Sequence, residues 1–252
     1  MYKRQVQQAA GRLSSAERPL LVVGSQALVD AGQAGAVAEA IDSLNVPVYL
    51  SGMARGLLGS AHPLHRRHQR RKALKEADVV VLAGVPSDFR LDYGRHVRRS
   101  ACLVSANRSK VDLKRNRKPD VGILADAGLF LRGLADAVSA GTHERWRDWH
   151  LTLETRDAER EAEIDATARR ESDHVNPVAL CRSIDADLPR DSIIVEDGGD
   201  FVGTASYIVR PRGPLSWLDP GVFGTLGCGA GFAVGACLCR PDSEVWMLFG
   251  DG

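Results

Sequence analysis

Short apolar runs alternate with stretches of helical periodicity over the first 140 residues of the chain. Five continuous apolar runs predict strands that are buried on both faces: residues 20–24, 46–50, 79–84, 101–105 and 121–124. Apolar positions three and four residues apart predict helices over 30–44 and 127–138, and a further helix that closes over 72–77. This alternation predicts an α/β fold in which helices cover both faces of a parallel sheet.

Charged residues dominate the segment from residue 141 to residue 173. Its few large apolar side chains are Trp146, Trp149, Leu153 and Ile164. Charges spaced for i,i+4 pairs, with so few apolar anchors, are typical of a solvated helix that connects two domains. We therefore predict a charged helical linker over 141–173, between a nucleotide-binding-like domain over 1–140 and a second domain over 174–252.

The second α/β pattern begins at Asn176 and Pro177, which favour the N-cap and the first turn of a helix that runs through Leu188. The remaining pattern predicts strands over 192–196 and 245–249, a turn over 217–221 and a glycine- and alanine-rich segment over 225–238. Each glycine within a helix costs about 1 kcal/mol relative to alanine, so this segment indicates close packing or close approach of a ligand.

The fold class predicted by these patterns is α/β, with two parallel-sheet domains of three layers each. The first domain is Rossmann-like, and the second is truncated. The chain stops directly after its last predicted strand, where a parallel strand normally continues into a crossover. We therefore expect the chain to be part of a longer protein.

Composition excludes several classes of function. The 252 residues are 44% hydrophobic and 26% charged, as in an ordinary globular protein with a sizeable core. The net charge of +1 argues against nucleic-acid or membrane-surface binding through bulk charge. No apolar run approaches the roughly 18 residues of a membrane span, and the N-terminus lacks the apolar region of a secretory signal. Any membrane anchor would lie outside this chain.

Five cysteines occur at positions 102, 181, 228, 237 and 239, without a CxxC pair. We expect reduced thiols, mostly buried, in a reducing compartment. A zinc site at Cys237 and Cys239 would need two further ligands that the sequence does not offer at suitable spacing.

Three segments of the first half carry candidate chemistry. Residues 24–28 follow a strand but lack the second and third glycines of a dinucleotide-binding turn, so a plain strand-to-helix turn is the stronger interpretation. Residues 52–59 form a second glycine-spaced loop, in which Arg55 either meets a phosphate or is a surface arginine. The mixture of aromatic residues and arginines over 86–95 suits a ligand-facing loop or an ordinary surface loop equally.

The segment from His65 to Lys72 is strongly basic. It either holds an anionic group, such as a nucleotide or coenzyme A phosphate, or forms the exposed start of a helix. The second alternative is favoured, because no aromatic residues interleave with the cations.

Three glycine-containing loops in the second half point to a diphosphate and a metal ion. They cover residues 197–200, 224–227 and 250–252. A Gly-Asp-Gly sequence after an apolar strand presents a carboxylate to a hard cation, and its glycines let the backbone approach a phosphate. Mg²⁺ prefers oxygen ligands, commonly one or two carboxylates together with phosphate oxygens.

The order and spacing of these loops resemble the thiamine-diphosphate enzymes of the acetolactate synthase superfamily, closest to its acetolactate synthase-like branch of 2-hydroxyacyl-CoA lyases. The motifs that carry the resemblance in the second half are residues 197–205, 211–221, 223–227, 238–242 and 249–252. Residues 21–28, 52–59 and 88–95 agree with it in the first half. The resemblance covers nearly the whole chain.

The resemblance implies a central domain over 1–140 and the first part of a diphosphate-binding domain over 174–252. It implies that the family's pyrimidine-binding domain, with the glutamate that starts catalysis, lies outside this chain, so we assign no catalytic residue. The cofactor-binding residues it implies are Asp197, Gly198, Gly199, Gly224, Thr225, Leu226, Gly250, Asp251 and Gly252.

Individual roles follow from the same resemblance. Asp251 would ligate Mg²⁺, which bridges the diphosphate of thiamine diphosphate. The Gly224 carbonyl would accept a hydrogen bond from the aminopyrimidine, and Leu226 would separate the two rings of the cofactor, where many relatives have Met. Central domains of the family bind FAD or an ADP moiety, and the broken glycine pattern after residue 24 argues weakly against a full FAD site.

The activity implied is a carbon–carbon lyase or carboligase that cleaves a 2-hydroxyacyl-CoA to an aldehyde and formyl-CoA. One alternative is acetolactate synthesis from pyruvate, and an alternative of another class is a non-catalytic nucleotide-binding module. We expect a small-molecule substrate, no nucleic-acid partner and a homodimer or homotetramer. We also expect a cytoplasmic location or, alternatively, attachment to the endoplasmic reticulum membrane through an anchor outside this chain.

Overall fold

A computed structural model describes residues 2–138 and 143–250. The chain divides into two compact units. Unit 1 contains residues 1–51 and 63–157, and unit 2 contains residues 52–62 and 158–252. The α/β class with two parallel sheets is confirmed, one sheet in each unit.

Unit 1 is built on a five-stranded parallel sheet with the order β2-β1-β3-β4-β5. Its strands are β1 (Pro19–Val23), β2 (Val48–Leu50), β3 (Val79–Ala83), β4 (Cys102–Asn107) and β5 (Val121–Leu124). Every residue of the three strands β1, β2 and β3 is buried, as the continuous apolar runs predict. The predicted strands of the first half are therefore confirmed.

The helices of unit 1 cover both faces of this sheet. They are α1 (Tyr2–Ser14), α2 (Ala34–Leu44), α3 (Arg70–Glu76), α4 (Lys110–Leu113) and α5 (Ala127–Ala137). Leu20 and Val22 face the side of the sheet that packs with α3, and the alternate side chains of β1 face the other side. The helix predicted from residue 30 begins only at Ala34, because a 3-10 turn at Ala31–Gln33 precedes it.

Helix α6 (Arg147–Ala168) lies within the predicted linker segment. Its residues up to Asp157 belong to unit 1 and its later residues to unit 2. The four apolar anchors of the segment are buried in their respective units. Trp146 and Trp149 each donate a hydrogen bond from Nε1 to a backbone oxygen of unit 1, on Ala16 and Pro19, both at 2.9 Å.

Unit 2 contains a three-stranded parallel sheet with the order β7-β6-β8. Its elements are α7 (Pro177–Asp187), β6 (Ile193–Glu196), α8 (Asp200–Ile208), β7 (Trp217–Leu218), α9 (Gly229–Cys239) and β8 (Val245–Leu248). Ile194 packs with α7 and α8 on one face, and Ile193 and Val195 pack with α9 on the other. This arrangement has three layers, as predicted. The Asn176 side chain caps α7 by accepting from the Val178 and Ala179 N–H groups.

The turn predicted over 217–221 is wrong in its first two residues. Trp217 and Leu218 pair with Ile194 and Val195 as a parallel strand. The Asp-Pro-Gly sequence that follows is a strong turn signal, and a strand of two residues is too short to show periodicity. Complete burial of Trp217 identifies this strand in the structure.

Residues 52–62 belong to unit 2, although the sequence places them within the predicted domain over 1–140. Gly56 shows how closely this segment packs there. A Cβ atom at Gly56 would lie 2.5 Å from the Gly213 carbonyl oxygen and 2.7 Å from the Pro211 Cβ. The other predicted domain boundaries stay predictions.

All five cysteines are free thiols, but the expectation that most are buried is wrong. Cys181 is buried, Cys102 and Cys228 are partly exposed, and Cys237 and Cys239 are exposed. The last two lie on α9, most of which is exposed or partly exposed in the structure. Among the described residues, no helix combines the length and apolar character needed to cross a membrane.

Candidate functional site

The loop after β6 is joined to the loop before α9 by one carboxylate. Asp197 accepts a hydrogen bond from the Gly229 N–H at 2.6 Å through Oδ1 and from the Gly227 N–H at 3.0 Å through Oδ2. These hydrogen bonds hold the pKa of Asp197 below its usual range. The ionised carboxylate therefore fixes two of the predicted cofactor loops to each other.

The same two loops meet again at Gly198. A Cβ atom on Gly198 would lie 2.8 Å from Leu226 Cδ2 and 3.7 Å from the Gly224 carbonyl oxygen. The structure thus brings together Asp197, Gly198, Gly224 and Leu226, which are separated by up to 29 positions in the chain. Thr225 lies in the same exposed loop, and its carbonyl accepts from the Cys228 thiol.

Four glycines of these loops have positive φ angles: Gly198 at 102°, Gly199 at 91°, Gly224 at 57° and Gly227 at 83°. Gly199 combines this φ with ψ of 178°, a conformation almost restricted to glycine. No atom of the described residues would contact a Cβ at Gly199, Gly224 or Gly227 within 4 Å. At these three glycines the loops therefore expose backbone atoms that no side chain covers.

Gly199 is also the N-cap residue of α8, and no side chain caps that helix. The first N–H groups of a helix lack intrahelical partners, and together with the helix dipole they favour a phosphate group. Nearby, Leu226 and Phe223 are large apolar side chains that are 66% and 87% exposed. An uncapped helix start, bare glycine loops and an exposed apolar side chain fit a diphosphate joined to an apolar ring system.

The loops at residues 197–199 and 224–229, together with the start of α8, are called the cradle below. Glu196, the last residue of β6, is a buried carboxyl group directly before the cradle. Its side chain is 4% exposed, and Oε1 has no hydrogen-bond partner among the described residues. Burial raises the pKa of Glu196 to about 9, although the nearby Arg55 guanidinium lowers it and Asp219 raises it further. Glu196 is therefore neutral at pH 7. No local pattern predicts this protonation state, since a Glu at a strand end is usually ionised.

The predicted metal-binding loop over 250–252 lies only partly within the described residues. Gly250 is exposed at the end of the described residues, whereas the predicted ligands and backbone contacts at Asp251 and Gly252 lie outside them. In the described part of the chain, no group of three or more His, Cys, Asp or Glu residues is positioned to hold a metal ion. The Mg²⁺ site at Asp251 stays a prediction.

Arg55 has a structural role that neither interpretation of its loop anticipated. Its Nη1 donates to the Ser206 carbonyl at 2.8 Å, and its guanidinium lies 5.1 Å from the centroid of the Trp217 ring. Gly24, which opens the first candidate loop, would place a Cβ 2.6 Å from the Gly84 carbonyl oxygen. Close packing explains this glycine, in agreement with a plain turn.

The basic segment from His65 to Lys72 is the start of a helix only in its last three residues, of which Arg71 and Lys72 are exposed. Arg66 and His68 are buried, and α3 begins at Arg70. Asp157 accepts hydrogen bonds from the backbone N–H groups of Arg67 at 2.8 Å and His68 at 3.1 Å. A carboxylate about 90 positions away in the sequence therefore holds the segment inside unit 1, and no pattern within the segment could reveal it.

Two family models match the chain. One, the thiamine pyrophosphate enzyme central domain, covers residues 6–134, which is half of the chain. The other, the thiamine pyrophosphate enzyme C-terminal TPP binding domain, covers residues 197–252 and includes every residue of the cradle. The chain belongs to the thiamine pyrophosphate enzyme family.

Individual relatives agree with this assignment. The chain is 49% identical to 2-hydroxyacyl-CoA lyase 2 of Homo sapiens over 255 residues, which cover 99% of this chain and 40% of the relative. The same enzyme of Danio rerio is 48% identical over 253 residues, with 98% and 40% coverage. An acetolactate synthase large subunit of Mycobacterium tuberculosis is 36% identical over 247 residues, with 97% and 44% coverage.

These comparisons confirm the resemblance drawn from the sequence motifs. The chain spans about 40% of the length of the 2-hydroxyacyl-CoA lyase 2 relatives. Membership of the thiamine pyrophosphate enzyme family implies binding of thiamine diphosphate, and the cradle of unit 2 has the backbone geometry for its diphosphate.

Proposed function

We propose that unit 2 binds thiamine diphosphate through the loops at residues 197–199 and 224–229, as part of a carbon–carbon lyase that acts on 2-hydroxyacyl-CoA. The single observation that carries the proposal is the joining of these loops by the Asp197 carboxylate, which leaves their glycine backbone exposed beside the uncapped start of α8. The identities of 48% and 49% to 2-hydroxyacyl-CoA lyase 2 support the substrate class.

Each residue of the cradle has a role in this proposal. Gly198 and Gly199 leave room for phosphate oxygens near the N–H groups that open α8. The Gly224 carbonyl accepts a hydrogen bond from the aminopyrimidine, and the exposed Leu226 side chain separates the two rings. Asp197 does not need to contact the diphosphate, because its carboxylate is engaged with Gly227 and Gly229 and holds the loops in place.

When bound, thiamine diphosphate supplies a carbon nucleophile that attacks a carbonyl carbon. Gly250, Asp251 and Gly252 would hold the Mg²⁺ that neutralises the diphosphate, with Asp251 as a carboxylate ligand. Leu226 and the neighbouring Phe223 would exclude water from the apolar side of the cofactor. The chain's residues thus bind and orient the coenzyme.

We also propose that unit 1 accepts an ADP moiety at the carboxyl ends of its strands, without a full FAD. A recess of about 610 Å³ there is lined by Ala27, Asp30, Arg108 and Arg132, among others. Nucleotides bind at such strand ends in open α/β sheets. Residues 24–28 lack the second and third glycines of a dinucleotide-binding turn, which argues weakly against a full FAD.

Assembly into a homodimer or homotetramer is part of the same proposal. Helix α9 has apolar residues on all sides, and Val234 and Leu238 are 62% and 79% exposed. An α-helix that is apolar all round is normally covered. We propose that a second copy of the protein covers α9.

The substrate can be tested with the longest form of the protein that contains this chain. The protein is incubated with thiamine diphosphate and Mg²⁺ and offered either a 2-hydroxyacyl-CoA or pyruvate. We expect formyl-CoA and an aldehyde from the first substrate and little acetolactate from the second. Acetolactate as the main product would favour the synthase alternative, and binding of cofactor without either product would favour the non-catalytic alternative.

A further inference from the structure

Unit 1 contains a second recess, on the side where its strands begin. It has a volume of about 860 Å³ and is lined by Lys75, Tyr93, Arg95, Arg98, Arg99 and Arg117, among others. Lys75 precedes β3, Arg98 and Arg99 precede β4, and Arg117 precedes β5. The recess at Arg108 and Arg132 lies at the opposite, carboxyl ends of the strands. This recess is therefore separate from the recess at Arg108 and Arg132.

The positive charges of the recess are mostly uncompensated. Within the described ranges, no carboxylate lies at ion-pairing distance from Lys75, Arg98 or Arg99. The Nε atom of Arg98 is enclosed and has no acceptor. Arg95 is the exception, because it pairs with Asp92 at 2.6 Å. Uncompensated arginines around a concave surface favour a phosphate, which they can contact with two hydrogen bonds each.

The loop that carries these cations is held in a fixed conformation. Arg117 donates from its guanidinium to the Val97 carbonyl at 2.6 Å and to the Arg98 carbonyl at 3.1 Å. Gly94 has φ of +84°, and a Cβ there would lie 3.0 Å from the Arg117 Cβ. Asn116 donates to the Ser87 carbonyl at 2.8 Å. A fixed frame lowers the entropic cost of binding an anion.

An aromatic ring lies at the rim of the recess. Tyr93 has φ of +55°, unusual for a non-glycine residue, and its side chain is 52% exposed. The Arg95 guanidinium lies 5.8 Å from the centroid of the Tyr93 ring. Burial lowers the pKa of the adjacent His96, the Asp92 carboxylate raises it, and Arg71, Arg70 and Lys75 lower it.

We propose that this recess binds a nucleotide, with its di- or triphosphate between Lys75, Arg98 and Arg99 and its base against the exposed Tyr93 ring. The volume falls within the range of pockets that hold small ligands. The cations supply affinity for phosphate, and stacking on Tyr93 distinguishes a nucleotide from a simple anion. This proposal does not depend on thiamine diphosphate binding in unit 2.

Backbone amide NMR of the full 252-residue chain tests the location directly. Inorganic pyrophosphate and ADP serve as probes, and poly-glutamate represents an acidic peptide. We expect saturable shifts of the Gly94, Arg98 and Arg99 amides with both phosphate probes, and a further shift of Tyr93 with ADP alone. Shifts confined to the Ala27 and Arg108 region, a preference for poly-glutamate, or no saturable response at millimolar concentration would overturn the proposal.

Variants then test the chemistry by calorimetric titration. The double variant Lys75→Ala/Arg99→Ala should weaken pyrophosphate binding at least tenfold, because two cations are lost from the recess. The control Arg4→Ala/Arg12→Ala removes two exposed cations from α1 and should bind pyrophosphate like the wild type. Tyr93→Ala should weaken ADP binding without changing pyrophosphate binding. Equal affinities in the wild type and the first double variant would contradict the assignment.

Discussion

The strands β1 and β6 both lead into glycines, β1 directly into Gly24 and β6 through Asp197 into Gly198 and Gly199, but these glycines differ in conformation and in surroundings. Gly24 after β1 has an extended backbone, with φ of −115°, and it is needed because the Gly84 carbonyl oxygen lies where a Cβ would be. Gly199 after β6 has φ of 91°, and a Cβ there would meet no atom within 4 Å. The first glycine permits packing, and the second leaves backbone open to a ligand.

The last residues of the two strands also differ. Val23 closes β1 as a fully buried apolar side chain, whereas Glu196 closes β6 as a buried carboxyl with an unpartnered oxygen. An apolar strand end stabilises the core, and a buried carboxyl costs stability unless it is paired or neutral. A buried carboxyl group that lowers the stability of the fold beside an exposed loop is typical of functional sites.

The largest effect is expected from Gly24→Ala. The added Cβ would lie 2.6 Å from a backbone oxygen, which cannot move without shifting β3. We expect the free energy of unfolding, measured by urea titration, to fall by about 3 kcal/mol. In contrast, a Cβ at Gly11, on the exposed face of α1, would meet no atom within 4 Å. Gly11→Ala should therefore raise the free energy of unfolding by about 0.5–1 kcal/mol. A Gly24→Ala protein as stable as the wild type would contradict the claim that close packing requires glycine at this position.

Glu196→Gln should raise stability in a pH-dependent way. The folded pKa of about 9 lies above the unfolded value, so the unfolded chain loses its proton first and stability falls as the pH rises from about 4.5 to 9. The amide cannot ionise, and we expect a gain of about 1–3 kcal/mol over the wild type at pH 8, with little difference at pH 4.

The control for this substitution is Glu154→Gln, at an exposed position of α6. It should leave the urea midpoint unchanged at both pH values. A gain for Glu196→Gln that is the same at pH 4 and pH 8 would show that burial does not keep Glu196 neutral.

Asp197→Asn should give the smallest change in stability and the most specific pH profile. The folded pKa of Asp197 is lowered by the Gly229 and Gly227 N–H groups. Its contribution to stability is therefore present above the unfolded pKa of about 3.9 and is lost as the pH falls through the folded pKa. The wild type should have the higher melting temperature at pH 7, and the two proteins should converge in acid. Equal melting temperatures at pH 7 would mean that the carboxylate does not hold the loops.

Much of the fold could be predicted because its signals are local. The apolar runs of β1, β3 and β5 identify strands directly, and the Asn176-Pro177 sequence identifies the start of α7. Strand β7 was missed because two residues cannot show a period. The burial of Arg66 and His68 could not be predicted, because the Asp157 carboxylate that holds the segment lies about 90 positions away.

The candidate site was predictable to a different extent. The glycines at 198, 199 and 224 were identified from motifs, and the structure brings them into one cradle with Leu226. The engagement of Asp197 with Gly227 and Gly229 and the neutral state of Glu196 depend on tertiary contacts and burial, which no local pattern encodes. The roles of these residues in binding a coenzyme stay predictions.

Calorimetric titration of the longest form of the protein that contains this chain, with thiamine diphosphate in Mg²⁺, tests the central claim most directly. The wild type should bind saturably, and Gly199→Ala should bind at least tenfold more weakly while remaining folded, because only glycine readily adopts the backbone conformation at the start of α8. Gly11→Ala should bind like the wild type. Absence of binding by the wild type, or equal binding by Gly199→Ala, would contradict the assignment of the cradle.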